Sequence, residues 1–289
     1  MKKSGKNLMN KLCIIGLGLL GGSIGKDCIA NHHAKHVIGF GRNKKTLETA
    51  KQLNLVHDIS DDFTDIQDAD LVIIATPVRQ IDNVLNQIKP HLSEKTIITD
   101  VGSTKYNVLT KAKNVLGKHF KNFIGSHPIA GSEKHGPEAA QECLFHDKNI
   151  IITTHDQNTD KDINAIKSFW HLLKGKVIIM DAQQHDEIFS TVSHLPHALA
   201  MIFMNMIFQK SNKDQLMSFA ASGFRDFTRI AASSPEMWKD IFIDNKDACI
   251  KDLAEFKKQI ELFEKILNDE GQLENFIESA SQFRKNWKY

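Results

Sequence analysis

Cysteine is scarce in this sequence and widely spread. The four thiols, Cys13, Cys28, Cys143 and Cys249, form no C-x-x-C pair. This spacing argues against a disulfide framework and is typical of reduced thiols, so we expect a cytoplasmic location. No set of histidines, cysteines and carboxylates has the spacing of a metal-binding motif either, so no metal cofactor is expected.

Charge of one sign and long apolar runs are also lacking. The 289 residues carry a formal net charge of +2, with both signs interspersed. Without a basic stripe, a nucleic-acid partner is not expected, and a small anionic ligand is easier to accommodate. The apolar run at 198–208 is too short to cross a bilayer. The run after the N-terminal lysines has the glycine pattern of a buried strand rather than of a signal peptide, so no membrane partner is expected.

The first 181 residues alternate short β-rich runs with amphipathic stretches. Strands are predicted at 12–16, 36–40, 70–75, 96–100, 122–126, 148–154 and 176–181. Helices are predicted at 20–31, 44–53, 79–89, 104–117 and 160–173. Such alternation is typical of βαβ units, so we expect an α/β domain with a mostly parallel sheet over residues 1–181.

The character of the sequence changes after Asp181. No convincing strand is predicted over 182–289, and we expect an all-α domain there. Its clearest periodicity is a heptad seam formed by Leu253, Phe256, Ile260, Phe263 and Leu267. Such a seam suits either a core helix of this domain or a helix that packs across a dimer interface.

A glycine fingerprint lies near the start of the chain. The run "IIGLGLLGGSIG" gives Gly16-x-Gly18-x-x-Gly21 between an apolar strand and a helical pattern, with Leu19 and Leu20 inside it. In this context Gly16 permits a tight turn, Gly18 lets the backbone approach a pyrophosphate, and Gly21 allows close helix packing. The helix N-terminus adds free N–H groups. We therefore expect a dinucleotide cofactor here rather than a structural turn.

Two further strand ends bear on that cofactor. NAD-preferring sites usually carry a carboxylate after the second strand, whereas this chain has Gly41 and then Arg42. Arg42 can pair with a 2′-phosphate, stack on adenine or face solvent, and we favour NADP or dual use over NAD alone. Thr76 and Pro77 end the run "LVIIATP" and are expected to line the nicotinamide end, although packing alone also accounts for Thr76.

Four segments concentrate polar groups in apolar surroundings. They are "TDVGSTK" (99–105), "GSHPIAGSEKHG" (125–136), "HDEIFSTVSHLPHALA" (185–200) and "GFRDFTRIAASSPEMW" (223–238). The first two follow predicted strands, so their side chains should emerge at the same sheet edge as the cofactor. The last two belong to the helical half and could close the cleft.

These motifs, in this order, resemble those of the prephenate dehydrogenase family, also called cyclohexadienyl or arogenate dehydrogenases. The resemblance runs from Gly16 to about Trp238. It implies a Rossmann domain followed by an all-α dimerisation domain, with the active site between them in a homodimer. It also implies NAD- or NADP-dependent oxidative decarboxylation of prephenate to 4-hydroxyphenylpyruvate, or of arogenate to tyrosine, in tyrosine biosynthesis.

The resemblance implies a chemical role for three residues. His127 would accept the proton of the substrate hydroxyl, Ser103 would hydrogen-bond near that hydroxyl and the nicotinamide, and Asp186 would orient His127. A histidine with a pKa near ~6.5 suits proton transfer at neutral pH. The structural alternatives are a packed loop histidine and, for Ser103, a helix N-cap.

The resemblance also implies contacts with a dicarboxylate substrate. Arg229 would bind a carboxylate with its planar fork, although a helical salt bridge with Asp226 at i, i+3 is the alternative. Glu133 could bridge to Arg229 and gate entry. The other implied substrate-binding positions are His197, Ser132, Asp226 and Trp238.

Two other functions remain open. A β-hydroxyacid dehydrogenase or imine reductase would also combine a Rossmann domain with helices, but the hydroxyacid enzymes rely on an interdomain lysine and residues 182–209 contain none. A dinucleotide-sensing protein would keep the glycines with no need for His127, Ser103, Asp186 and Arg229 together. The choice between prephenate and arogenate stays open because both share the ring chemistry.

Overall fold

A five-stranded parallel sheet forms the centre of the N-terminal half. The computed structural model describes residues 9–132 and 134–288. The strand order is β3-β2-β1-β4-β5, and every pairing is parallel. The strands are β1 (Met9–Ile15), β2 (Ala34–Phe40), β3 (Asp58–Ser60), β4 (Leu71–Ile74) and β5 (Ile97–Asp100). The short strand β3 was not predicted, because three half-exposed residues carry no periodicity to recognise.

Side chains alternate between the two faces of this sheet and build a core on each. Ile14 and Ile73 belong to one apolar cluster, whereas their neighbours Ile15 and Ile74 belong to the other. Burial on both faces requires near-continuous apolar strands, which β1 and β4 have. The helices of this half are α1 (Leu19–Ala30), α2 (Lys44–Gln52), α3 (Ile81–Ile88), α4 (Tyr106–Leu116) and α5 (Asp160–Leu172).

A second, three-stranded sheet completes the N-terminal half. Its order is β6 (Gly125–Pro128), β7 (Asn149–Thr153) and β8 (Lys176–Met180). A parallel bridge from Ile98 to Phe123 joins this part of the chain to β5. Over both sheets the pairing is mostly parallel, as expected, but within this sheet β7 and β8 are parallel and β6 runs antiparallel to β7. The reversal is possible because the β6–β7 connection, in its described part, has a short 3₁₀ turn and no crossover helix.

The described chain is helical after β8, as expected. Helix α6 (Ala182–Phe189) continues through a π-helical turn (Ser190–His194) into α7 (Leu195–Phe208). The helices that follow are α8 (Lys213–Ser218), α9 (Ser222–Thr228), α10 (Pro235–Asp244), α11 (Lys246–Ile266) and α12 (Glu270–Asn286).

The rod formed by α6, the π turn and α7 is longer than the sequence suggested. We treated 198–208 as an isolated apolar run, whereas the helix spans 27 residues from Ala182 to Phe208. Within the described ranges it is the one helix that is long and apolar enough, by length and composition, to cross a membrane. Only 11% of its most apolar stretch is buried within the chain.

The predicted heptad seam lies on α11 and is largely uncovered. Ile260 and Leu267 are 47% and 52% exposed, and Phe263 is also exposed. The seam is therefore not part of the core of this single chain. Its exposed apolar side chains fit packing against another surface.

Candidate active site

The loops that follow β1, β4 and β5 lie together at the carboxyl edge of the parallel sheet. Gly16 packs directly against Ala75. Asp100, the last residue of β5, accepts a hydrogen bond from the backbone N–H of Ser126 at 3.3 Å, which ties β6 to the same edge. His127 is the next residue of β6, so the cofactor fingerprint and the predicted base occupy one region.

The glycine-rich loop has the shape that a bound pyrophosphate requires. Gly16 has a φ of +99°, and a Cβ there would lie 2.7 Å from the carbonyl oxygen of Ala75. A Cβ on Gly21 would lie 2.0 Å from the carbonyl oxygen of Gly16. A Cβ on Gly18, by contrast, would meet no described atom within 4 Å, so the loop is open there. Helix α1 begins at Leu19 and Leu20 with no side-chain cap recorded, which leaves its first N–H groups available to an anion.

The predicted nicotinamide and ribose positions also fit a dinucleotide. The Thr76 hydroxyl is buried, with no hydrogen-bond partner among the described residues, and a buried orphan of this kind calls for a ligand or a water. Pro77 is exposed beside it. Arg42 is exposed, and its Nη2 donates to Oε1 of Gln80 at 3.0 Å. Sequence reasoning did not identify Gln80, since the contact joins two loops far apart in the chain.

Ser103 lies in a loop organised by a buried ion pair. The Nζ of Lys105 donates to Oδ2 of Asp100, and both side chains are fully buried. Asp100 Oδ2 also accepts from the N–H of Gly102 at 2.8 Å. Ser103, half-buried between these partners, does not cap α4, because that helix begins later, with Lys105 at its N-cap. The pair was missed because two charges five residues apart in a loop give no pattern.

His127 is half-buried and bonded to a second histidine. Its Nδ1 lies 2.8 Å from Nε2 of His185, and its ring packs on Phe189 at 4.8 Å between centroids. Burial, reinforced by the neighbouring His185, Lys105 and His194, holds the pKa of His127 well below its usual value. The imidazole is therefore neutral at physiological pH.

The predicted contact between Asp186 and His127 is wrong in its geometry. Oδ1 of Asp186 lies 2.7 Å from Nδ1 of His185, so His185 stands between the carboxylate and His127. Asp186 faces away because it also accepts from the N–H groups of Lys105 (2.7 Å) and Tyr106 (2.9 Å), at the start of α4. Burial lowers the pKa of His185, although its bond to Asp186 opposes the shift. His185 lies in the polar segment 185–200, but no sequence pattern distinguished it there.

A second group of predicted residues gathers in the helical half. The rings of His197 and Trp238 stack with centroids 3.7 Å apart. Nδ1 of His197 lies 2.8 Å from the carbonyl oxygen of Ser193, which fixes the ring. Burial lowers the pKa of His197, and Arg229 adds to the effect, which places the guanidinium nearby. Trp238 is buried, and its Nε1–H has no hydrogen-bond partner within the described ranges.

His194 links the two groups. Its ring lies 6.0 Å from that of Trp238, edge to face. Its charge state also affects the pKa of His127. Burial lowers the pKa of His194 itself to about 4. His194 therefore contacts Trp238 of the aromatic pair and contributes to the lowered pKa of the predicted base, His127.

Two predicted substrate residues, Ser132 and Asp226, are not drawn into this cluster. Ser132 is exposed, and its Oγ accepts from the N–H of Lys134 at 3.2 Å. Asp226 is exposed, and in the described part of the chain it forms no salt bridge with Arg229, the pair suggested as an alternative. Glu133 lies outside the described residues. The described residues also contain no group of three or more His, Cys, Asp or Glu that could hold a metal ion.

Two family models match nearly the whole chain. Residues 24–179 match the model described as "Prephenate dehydrogenase, nucleotide-binding domain". Residues 181–282 match "Prephenate dehydrogenase, dimerization domain". The boundary between the two matches falls where β8 gives way to α6.

Similar proteins carry related names. The chain is 36% identical over 285 residues to a prephenate dehydrogenase of Bacillus subtilis, covering 96% of this chain and 76% of that one. It is 34% identical to a cyclohexadienyl dehydrogenase of Zymomonas mobilis, covering 93% of both. Among solved structures, Aquifex aeolicus prephenate dehydrogenase in complex with hydroxyphenyl propionate and NAD⁺ superposes with a TM-score of 0.90. The two are 31% identical, and the match covers 96% of this chain and 98% of that one.

Proposed function

The chain belongs to the prephenate dehydrogenase family, and on that premise we propose that it oxidatively decarboxylates prephenate to 4-hydroxyphenylpyruvate in tyrosine biosynthesis. The observation that carries the proposal is His127. It is a neutral, half-buried imidazole at the sheet edge that also holds an open dinucleotide loop. A dehydrogenase that oxidises a carbinol needs a base at this position.

The chain's own residues supply the proton chemistry. A nicotinamide dinucleotide held by the glycine loop would supply the acceptor for the hydride of the carbinol carbon. His127 accepts the hydroxyl proton on the ring nitrogen that His185 does not engage, and the electron pair stays on oxygen to form the carbonyl. Ser103 hydrogen-bonds to the same hydroxyl. Loss of CO₂ then makes the ring aromatic, which needs no metal, so a chelator should leave the rate unchanged.

The helical half binds the substrate carboxylates. Arg229 offers a planar fork that suits a carboxylate, and its charge acts on His197, which supports a role beside the His197–Trp238 pair. The unpartnered Nε1–H of Trp238 supplies a buried donor. In this proposal Ser132 and Asp226 contact the substrate from exposed positions, and Glu133 gates entry beside Arg229.

The cofactor is a nicotinamide dinucleotide held by Gly16, Gly18, Leu19, Leu20 and Gly21, with Thr76, Pro77 and Ser103 towards the nicotinamide. We propose NADP or dual use. Arg42 is exposed, is fixed by Gln80 and has no adjoining carboxylate at Gly41, which supports a 2′-phosphate contact. The NAD⁺ complex of the Aquifex aeolicus protein is compatible with dual use.

The working form is proposed to be a cytoplasmic homodimer. Residues 1–181 form the dinucleotide-binding domain and 182–289 the helical substrate and dimerisation domain. The exposed apolar seam on α11 supports the dimer, and the four free cysteines support the reducing compartment.

Arogenate is the second candidate substrate. The similarity to a cyclohexadienyl dehydrogenase supports dual specificity, because both substrates present the same ring to His127.

The test is the formation of reduced cofactor, followed by absorbance, with prephenate or arogenate paired with NAD or NADP. We expect turnover in at least one pair, and in His127→Asn a loss of about 10²–10⁴-fold, the usual range for a positioned general base. Cofactor binding by both proteins with no turnover in any pair would contradict the proposal and favour a dinucleotide sensor or a hydroxyacid dehydrogenase.

A further inference from the structure

We infer that His185 is a positioning residue that holds His127 in the tautomer protonated on Nδ1. In this tautomer Nε2 carries the lone pair that accepts the substrate proton. The inference deepens the proposed function and rests on it for the role of His127 as base.

Asp186 sets the direction of the hydrogen bonds in the series Asp186–His185–His127. Both of its oxygens accept from backbone N–H groups, those of Lys105 and Tyr106, which can only donate. These groups form the N-terminus of α4, where the helix dipole favours an anion. Asp186 therefore acts as an acceptor at both oxygens, and His185 must donate to it from Nδ1.

The donor of the first bond also determines the donor of the second, between His185 and His127. A neutral imidazole donates from one nitrogen and accepts at the other. Because Nδ1 of His185 donates, its Nε2 accepts, and the partner 2.8 Å away, Nδ1 of His127, must be the donor. The backbone of α4 thus selects the tautomer of a histidine three hydrogen bonds away.

The surroundings favour two neutral rings. Burial is the main cause of the lowered pKa of both histidines, and the charge of Lys105, which is paired with Asp100, adds to it. Asp186, bonded to His185, and Asp100 oppose the shift, but burial outweighs them, so the pKa of His185 is lowered. The full burial of His185 also excludes water that would offer a competing partner.

The proton balance requires no proton transfer from His127 to His185 or Asp186. When Nε2 of His127 takes the hydroxyl proton, the ring becomes an imidazolium and keeps its Nδ1–H bond to His185. His185 and Asp186 do not change protonation. His185 is thus a fixed acceptor that stabilises the cation, not a relay.

The first test reads the tautomer directly by ¹⁵N–¹H NMR of histidine-labelled protein, with the ring signals assigned through His127→Asn. We expect His127 to carry its proton on Nδ1 in the wild type and in His185→Gln, whose amide can accept from His127 and donate to Asp186. In His185→Leu the acceptor is gone, and we expect the Nε2–H form to appear. A wild-type His127 protonated on Nε2 would overturn the inference, whatever the enzyme turns over.

The second test reads the rate. We expect His185→Leu to lower kcat towards the roughly 10²–10⁴-fold loss of an absent base, with KM little changed and an altered pH profile of kcat. His185→Gln should retain most of the rate, and the exposed His171→Leu should match the wild type. Melting temperature and cofactor affinity check that each variant folds. Equal rates and pH profiles in His185→Leu and the wild type would overturn the inference.

Discussion

The two halves of the molecule differ in how completely they bury their own apolar residues. Both apolar core clusters lie wholly within residues 9–177. After Asp181 the described chain buries few apolar side chains, namely Ala182, Phe189, Ala200, Trp238, Ile241, Cys249 and Ile266. It exposes large ones instead, including Ile202, Phe208, Phe219, Ile250 and Phe283. The N-terminal half buries its apolar residues in two core clusters, whereas the helical half leaves large apolar side chains exposed.

The difference assigns separate tasks to the two halves. The proposed base and cofactor loop belong to a half whose sheet is covered on both faces, while the proposed substrate contacts belong to helices whose exposed apolar residues mark an interaction surface. The contact between Asp186 and α4 joins the two, so a helical half displaced from its partner would disturb the chemistry through one buried carboxylate.

The largest effect should come from a charge on the exposed seam. We expect Ile260→Glu to break the homodimer, since burying an unpaired charge costs about 3–5 kcal/mol. Light scattering across a dilution series measures the change. The matched control is Leu53→Glu on the N-terminal half, at similar exposure (43% against 47%), which should stay dimeric. If Ile260→Glu remained a dimer at low concentration, the seam would lie outside the interface.

The next largest effects concern two glycines of the N-terminal half. In Gly21→Ala the new Cβ would lie 2.0 Å from a backbone oxygen, so we expect overpacking to destabilise the protein by about 1–3 kcal/mol and to weaken cofactor binding. Gly18→Ala meets open space and should keep the wild-type melting temperature while losing cofactor affinity. Thermal melts and cofactor titrations separate the two. A normal melt for Gly21→Ala would contradict the packing argument.

Arg229→Ala should lower kcat/KM by about 10- to 100-fold, the 1.5–3 kcal/mol of a hydrogen bond to a charged group. Cofactor affinity should not change, because the residue belongs to the helical half. Steady-state kinetics with prephenate and a cofactor titration measure both. Arg225→Ala, also exposed and one turn away, is the control and should resemble the wild type. Similar losses in both variants would remove the specific role of Arg229.

Acid should destabilise the junction between the halves. The pKa of His194 falls from an unfolded value of 6.5 to about 4 on folding. The unfolded chain therefore binds more protons in this range, and stability falls as pH drops from about 6.5 towards 4. The contribution of His194 to the free energy of unfolding falls by on the order of 3 kcal/mol over that window, at about 1.36 kcal/mol per pKa unit. His194→Asn should flatten the fall of melting temperature with pH, and an unchanged slope would exclude His194 as its source.

The sequence predicted the fold because periodicity is local. Apolar runs and glycines marked both ends of α1 and β4, and the end of β1, within one residue, whereas β1 begins three residues earlier than predicted. For the site, sequence reasoning supplied candidate residues but not their contacts. His185 and Asp186 are neighbours, and no local pattern tells which of them faces His127. The seam on α11 stayed ambiguous for a related reason: an apolar stripe looks the same whether it packs on its own chain or on another.

The π turn at Ser190–His194 changes the angle about the helix axis between the residues before it and the residues after it. His194 lies nine residues after His185, which on an ideal α-helix at about 100° per residue would put them roughly half a turn apart, on opposite sides. Yet His185 contributes to the lowered pKa of His194. The wider π turn rotates each residue less and brings them towards one side. Deleting one residue there would swing all of α7 by about 100°. Alignment of the site therefore depends on the length of this helix counted in residues, a quantity that no substitution alters.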